Sequence, residues 1–161
     1  ADPSQQLARM DGEEIRSLID GATYLFTNEY EAALTEQKTG WTGEEILERV
    51  GTRVTTLGAK GALVEQRGEP AVFVHCPQEE RRADPTGVGD AFRAGFLAGI
   101  AWELSPERAC QVGSMLATYV IETVGTQEYE LGQAALVDRL RTAYGKHAAE
   151  EIGAHVRCPR P

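Results

Sequence analysis

The sequence predicts an α/β fold with a mixed, mostly parallel sheet. Three observations carry this. Short apolar runs of strand character alternate with segments of helical periodicity, the pattern of helices layered on a parallel sheet. Two of the runs, "GALVEQ" and "PAVFVHC", are joined by the turn residues Arg67-Gly68-Glu69, and such a hairpin makes the sheet mixed. Helix starts are marked by capping residues at Asp11, Thr42 and Ser105.

The elements follow in order. "DGEEIRSLID" reads as a helix capped by Asp11, with Ile15, Leu18 and Ile19 on its apolar face. "ATYLFTN" reads as a buried strand ending at Asn28, and "EYEAALTEQ" as a helix stopped by Gly40. Thr42 and Glu45 fit a capping box that opens a helix ending near Gly51. "RVTTLG" is the next strand, followed by the hairpin. A helix is expected from about Gly89 to Glu103. Ser105-Pro106 then restarts one, with proline where its missing N–H costs nothing. That helix, from Glu107 to about Val124, is apolar over much of its surface and is expected to be well buried. "AALVDRLRTAYG" gives a last amphipathic helix. Ala1-Asp2-Pro3 reads as the end of a strand, so the fold is expected to begin upstream. Residues 156–161 read as a disordered tail.

Bulk composition bounds the function. A chain of 161 residues with 42% hydrophobic and 25% charged residues can bury a real core. No apolar run approaches the ~20 residues of a membrane span. A net charge of −9 disfavours nucleic-acid binding, although local backbone N–H groups can still hold a phosphate. Cys76, Cys110 and Cys158 are odd in number and widely spaced, as expected of free thiols in a cytoplasmic protein. His75, His147 and His155 lack metal-ligand spacing, Trp41 and Trp102 read as packing residues, and Arg81-Arg82 as a solvated pair.

The chemistry concentrates in "RRADPTGVGDAFRAGFLAG", residues 81 to 99. Gly87-Val88-Gly89-Asp90 stands directly before a helical pattern. The first N–H groups of a helix lack intrahelical partners and carry the positive end of its dipole, so they attract anions. Glycine lets the backbone approach a ligand closely. A carboxylate here would repel a bound phosphate, yet it makes sense as the acceptor of a proton from an attacking hydroxyl. On spacing alone the stretch also reads as a tight loop with Asp90 as an ordinary helix cap. No Lys follows the glycines, and position 92 is Phe, so neither the Walker motif nor a full G-x-G-x-x-G is present.

"DPTGVGDAFRAGFLAG" resembles the C-terminal signature of the ribokinase-like (PfkB) carbohydrate and nucleoside kinases, with Pro85 and Val88 departing from its commonest form. "NEYE" at Asn28–Glu31 and "TLGAKG" at Thr56–Gly61 are similar to two further family motifs in the expected order. The resemblance implies a three-layer αβα ribokinase-like fold, of which this chain is the C-terminal portion. Residues 1–155 would form the nucleotide-binding, catalytic half. It implies an ATP-dependent transfer of phosphate to a hydroxymethyl group of a nucleoside or sugar. Asp90 would be the base, with Gly87, Val88 and Gly89 as the anion hole. Asn28 and Glu31 would hold Mg²⁺ through water, and Thr56, Gly58 and Gly61 would line the nucleotide site. Ser114 lies on the helix that flanks adenine in the family; plain packing is an equal reading of it. Asp84 and Thr86, with backbone near Gly125, resemble positions that hold a monovalent cation such as K⁺. "GTQEYE" and "YGKHAAEEI" are most similar to actinobacterial adenosine kinases, which favours adenosine over ribose, fructose or another sugar. The alternative is a non-catalytic nucleotide-binding module that self-associates through an open sheet edge. With half the fold upstream, the isolated chain is expected to be inactive or nearly so.

Overall fold

The computed structural model describes residues 1–156. All of the expected tail but Val156, and with it Cys158, lies outside the described residues. The chain divides into two compact units, Ala1–Val74 and His75–Pro161.

The first unit opens with a 3-10 turn at Ser4–Ala8, then α1 (Gly12–Ile19), β1 (Tyr24–Asn28), α2 (Glu29–Thr39), α3 (Gly43–Arg49), β2 (Thr52–Thr56) and β3 (Gly61–Gln66). β4 (Val72–His75) completes a sheet of order β1-β2-β3-β4. β1 and β2 run parallel, with Tyr24 opposite Thr52 and Asn28 opposite Thr56. The helical crossover of α2 and α3 permits this. β2 and β3 run antiparallel, with Thr56 opposite Ala62. Ala1 lies along β1, its carbonyl accepting the Phe26 N–H at 3.0 Å, which agrees with the strand-end reading.

Each helix of this unit is closed at its start. Asp11 and Glu14, Asn28 and Glu31, and Thr42 and Glu45 each form a reciprocal capping box, satisfying three orphan donors at Asp11 and two at each of the others. Gly40 ends α2 as expected, and does so in the left-handed conformation. Leu7, Ile15, Ile19, Leu25, Ile46 and Val50 form the core under the sheet. Leu18 does not join it and is exposed: the short α1 buries only its Ile15–Ile19 stripe.

The second unit contains α4 (Val88–Ala101), α5 (Pro106–Ile121) and α6 (Gln133–Gly153). α4 stops two residues before its expected end, because Glu103 takes a positive φ of 60°. α5 begins as read, with the Ser105 hydroxyl accepting the Arg108 N–H. The α4–α5 contact depends on missing side chains: a Cβ on Gly95 would lie 2.8 Å from Gly113 Cα. Gly145 (φ 87°, ψ 170°) breaks α6 where the sequence placed its end, but helix resumes beyond it. Leu104, Met115, Leu136, Leu140, Ala149 and Ile152 form this unit's core. Among the described residues, no helix is long and apolar enough to cross a membrane.

Candidate active site

In the second unit, the segment before α4 folds over the end of α5. The N–H groups of Ala83 and Asp84 donate to the Ile121 carbonyl at 2.8 and 3.2 Å. Asp84 turns back on the chain, its Oδ1 accepting the Thr86 N–H at 2.9 Å. Hydrogen bonds from the Thr86 backbone and side chain, and from the Gly125 backbone, hold the Asp84 carboxyl below the usual carboxylate range. The three residues expected at a cation site are thus brought together.

Gly87, not Asp90, caps α4. It sits in the left-handed region at φ 78° and supplies no side-chain cap. A Cβ there would lie 2.7 Å from Thr126 Cγ2, so both the turn and the close approach require glycine. The first helical bond runs from the Ala91 N–H to the Gly87 carbonyl at 2.9 Å. The N–H groups of Val88, Gly89 and Asp90 therefore precede the ladder; that of Val88 makes one long bond, 3.4 Å, to the Pro85 carbonyl.

Asp90 stands in the first turn with its side chain 85% exposed. Its Oδ1 accepts a hydrogen bond from Arg93 Nη1 at 2.8 Å, one turn along the helix. Gly87, Asp90, Ala91, Leu116, Thr126 and Tyr129 share in lining a cleft of about 260 Å³. The Asp90 carboxylate and the Gly87 turn that starts α4 thus open onto one space. That set can accept a proton while stabilising an anion.

Ser114 does not face this cleft. It is 3% exposed on α5, and its side chain interacts with Cys110 and Tyr144. Burial also pushes the Cys110 thiol up to about 12. Both Cys76 and Cys110 are free thiols, as expected. Arg81 and Arg82 are both exposed, as read, yet each has a partner: Arg81 Nε donates to the Glu122 carbonyl at 2.6 Å, and Arg82 pairs with Glu79. Trp102 stacks on His155 at 5.7 Å and Trp41 lies under Arg49 at 4.1 Å, both packing roles. The histidines form no metal cluster among the described residues.

In the first unit, Asn28 ends β1 and caps α2. Its Oδ1 accepts the Glu31 N–H at 2.8 Å, and Glu31 Oε2 accepts the Asn28 N–H at 2.9 Å. This box uses neither Glu31 Oε1 nor Asn28 Nδ2. The Glu31 oxygen left over can accept from the waters of a hydrated Mg²⁺, whereas the Asn28 N–H₂ can only donate, as to a phosphate oxygen. Thr56 ends β2, and Gly58–Lys60 form a 3-10 turn leading into β3. Gly58 and Gly61 take positive φ of 59° and 126°, while the Leu57 N–H closes the turn on the Gly61 carbonyl at 2.8 Å. The hairpin-turn reading of "GAKG" therefore holds.

Sequence reasoning missed Arg93, Thr126 and Tyr129. Only Arg93 left a signal, its i+3 spacing from Asp90. The other two come from a connecting segment whose place beside α4 is set by tertiary packing.

Residues 1–131 match the model of the pfkB family of carbohydrate kinases. A nucleoside kinase of Methanocaldococcus jannaschii is 29% identical over 126 residues, covering 78% of this chain and 41% of that protein. A cytidine kinase of Thermococcus kodakarensis is 33% identical over 117 residues, covering 69% of this chain and 41% of that protein. The Burkholderia thailandensis nucleoside kinase in complex with inosine superposes with a TM-score of 0.84 at 38% identity, over 89% of this chain and 48% of that one. The same kinase has also been solved with ADP-inosine. This chain spans about half the length of these relatives or less. Its α/β architecture is that of the ribokinase-like fold, in part. With most of its length matched, the chain belongs to the pfkB family of carbohydrate kinases.

Proposed function

We propose that this chain is the nucleotide-binding, phosphoryl-transferring half of an ATP-dependent kinase whose acceptor is the hydroxymethyl group of a nucleoside, with adenosine favoured. The observation that carries this reading is the shared cleft at the start of α4, where Asp90 and the glycine turn face the same space. The family supports a phosphotransferase, and the inosine and ADP-inosine complexes of the Burkholderia kinase support ATP and a nucleoside over a free sugar.

In this reading the Asp90 carboxylate takes the proton from the acceptor hydroxyl. The N–H groups of the Gly87-Val88-Gly89 turn hold the phosphoryl oxygens as charge gathers on them. Arg93 holds the Asp90 side chain from one side. Thr56, Gly58 and Gly61 supply a flat backbone turn for the nucleotide. Glu31 would hold Mg²⁺ through water, with the Asn28 N–H₂ donating to a phosphate oxygen; when bound, the ion offsets charge on the phosphate oxygens. Asp84, held ionised, would hold a monovalent cation with Thr86 and Gly125.

Calorimetry with Mg-ATP and a turnover assay with adenosine, inosine and ribose test the reading. The 161-residue chain alone is expected to turn over none of them at a useful rate, because it spans only about half the length of the kinases it resembles. In a longer protein carrying this chain, Asp90→Asn is expected to lower kcat by ~10³-fold while changing ATP affinity less than ~3-fold. Near wild-type turnover would overturn the base assignment.

The second reading, a binding module that self-associates, rests on β4. It is a sheet edge carrying Phe73, which is 55% exposed. Concentration-dependent sedimentation of the chain, relieved by Phe73→Lys, would favour it.

A further inference from the structure

We infer that Glu122 and Arg139 are positioning residues for the proposed phosphoryl-transfer loop: together they latch residues 80–84 onto the end of α5 and so set where Gly87 and Asp90 stand. The inference rests on the reading given above for the α4 cleft.

Helix α5 ends at Ile121; the Thr118 and Val120 carbonyls accept the Glu122 and Thr123 N–H groups, and those of Ile121 and Glu122 are left to find other donors. The segment that leads to the glycine turn supplies them. Arg81 Nε donates to the Glu122 carbonyl, and the Ala83 and Asp84 N–H groups donate to the Ile121 carbonyl. The Glu122 side chain adds the strongest attachment. Its Oε1 accepts the Glu80 N–H at 2.7 Å. Arg139 of α6 clasps the same carboxylate with two parallel bonds, both 2.7 Å. The Arg139 guanidinium also lies 4.6 Å over the Tyr119 ring. The two charged side chains are only 11% and 19% exposed, so a carboxylate left there without its arginine would be poorly solvated.

From Glu80 the chain needs seven residues to reach Gly87, and the same α5 extension holds both ends of that span. Glu122 holds the entry, the Gly125 backbone bonds Asp84, and Thr126 packs under Gly87. A single short segment, residues 121–126, therefore contacts the loop at both ends. The bidentate Arg139 bond fixes the carboxylate's plane, and with it the direction in which Glu80 is held. Nothing in this pair touches the cleft that Asp90 lines, so its influence passes through the loop.

The test uses the 161-residue chain and needs no turnover. Amide hydrogen exchange and the amide resonances of Gly87 and Gly89 are recorded for wild type, Arg139→Met and Arg139→Lys, with and without inorganic tripolyphosphate. In Arg139→Met, exchange at Glu80, Ala83 and Asp84 is expected to quicken by ~10-fold or more, with α4 interior amides unchanged. The Gly87 and Gly89 resonances should move, and Arg139→Lys should restore part of both effects. Unchanged exchange at residues 80–84, or an equal rise throughout the second unit, would overturn the latch. Tripolyphosphate reports separately. If it leaves the wild-type Gly89 resonance in place, the anion-site reading fails and the exchange data alone decide the latch. If it moves that resonance in wild type, a loss of affinity in Arg139→Met supports the latch, and unchanged affinity contradicts it.

Discussion

The three helix starts of the first unit and the start of α4 solve the same physical problem in opposite ways. α1, α2 and α3 close their orphan amides with reciprocal boxes built from Asp11, Asn28 and Thr42. α4 has a left-handed glycine in the cap position and no side-chain acceptor, and the acid of its first turn leans away toward Arg93. The first solution spends the amides on stability. The second leaves them for a ligand, at the expense of the stability a cap would add. α6 also opens without a side-chain cap, at Gly132, so an open start marks a proposed place for chemistry only where, as in α4, a carboxylate stands in the same turn.

The comparison breaks most severely at Asp90, where the Asp90→Asn loss of turnover described above is the largest effect expected. Next comes Gly87→Ala, which forces a Cβ to within 2.7 Å of Thr126 Cγ2 at a φ of 78°. It should cost about 1–3 kcal/mol of unfolding free energy by denaturant titration and displace the Gly89 amide resonance. If Gly87→Ala unfolds like wild type, the turn does not need its glycine.

Acid should then separate the two units. Burial opposes ionisation of Glu122, but the Arg139 and Glu80 hydrogen bonds and the Arg139 and Arg81 charges outweigh it and hold its pKa below the ordinary 4.5. With the folded value depressed, the unfolded chain takes up the proton first as pH falls. The stability that Glu122 confers is therefore complete above about pH 4.5 and disappears as pH drops through the lower folded value. Melting of the second unit followed from pH 7 to pH 3 should show this loss, and Arg139→Met should flatten it.

The smallest effects sharpen the comparison most. Asp11→Ala and Asn28→Ala each remove one cap and should each cost about 1 kcal/mol by thermal unfolding. If Asn28 also donates to a phosphate oxygen, only Asn28→Ala should weaken Mg-ATP binding in a protein that binds it. Equal nucleotide affinity in the two variants would leave Asn28 with its structural role alone.

Much of the first unit is legible in the sequence because its signals are local. A cap, an acid three residues later and a glycine stop fix each helix within a few residues, and the short Arg67-Gly68-Glu69 turn fixes the hairpin. The glycine turn at residues 87–89 is legible for the same reason. What escaped is nonlocal. Leu18 fits the apolar pattern of its helix yet faces solvent, because which residues of a short helix are covered depends on its partners. Arg81 is solvated as read, but its bond to the Glu122 carbonyl spans 41 residues and no local pattern announces it. Asp90 passes for a cap by spacing, but the φ of Gly87 moves the cap three residues earlier. Ser114 sits on the expected helix, and only packing shows its hydroxyl turned toward Cys110 and Tyr144. The Glu122–Arg139 pair joins residues 17 apart, and no periodicity points to it.

The most direct test of an open α4 start against three closed ones is a titration of the ¹⁵N-labelled chain with inorganic tripolyphosphate, read at every amide. The account predicts saturable shifts at Val88, Gly89 and Asp90, abolished by high salt, with the first-turn amides of α1, α2 and α3 unmoved. Shifts spread evenly over all four helix starts, or none at residues 88–90, would contradict it.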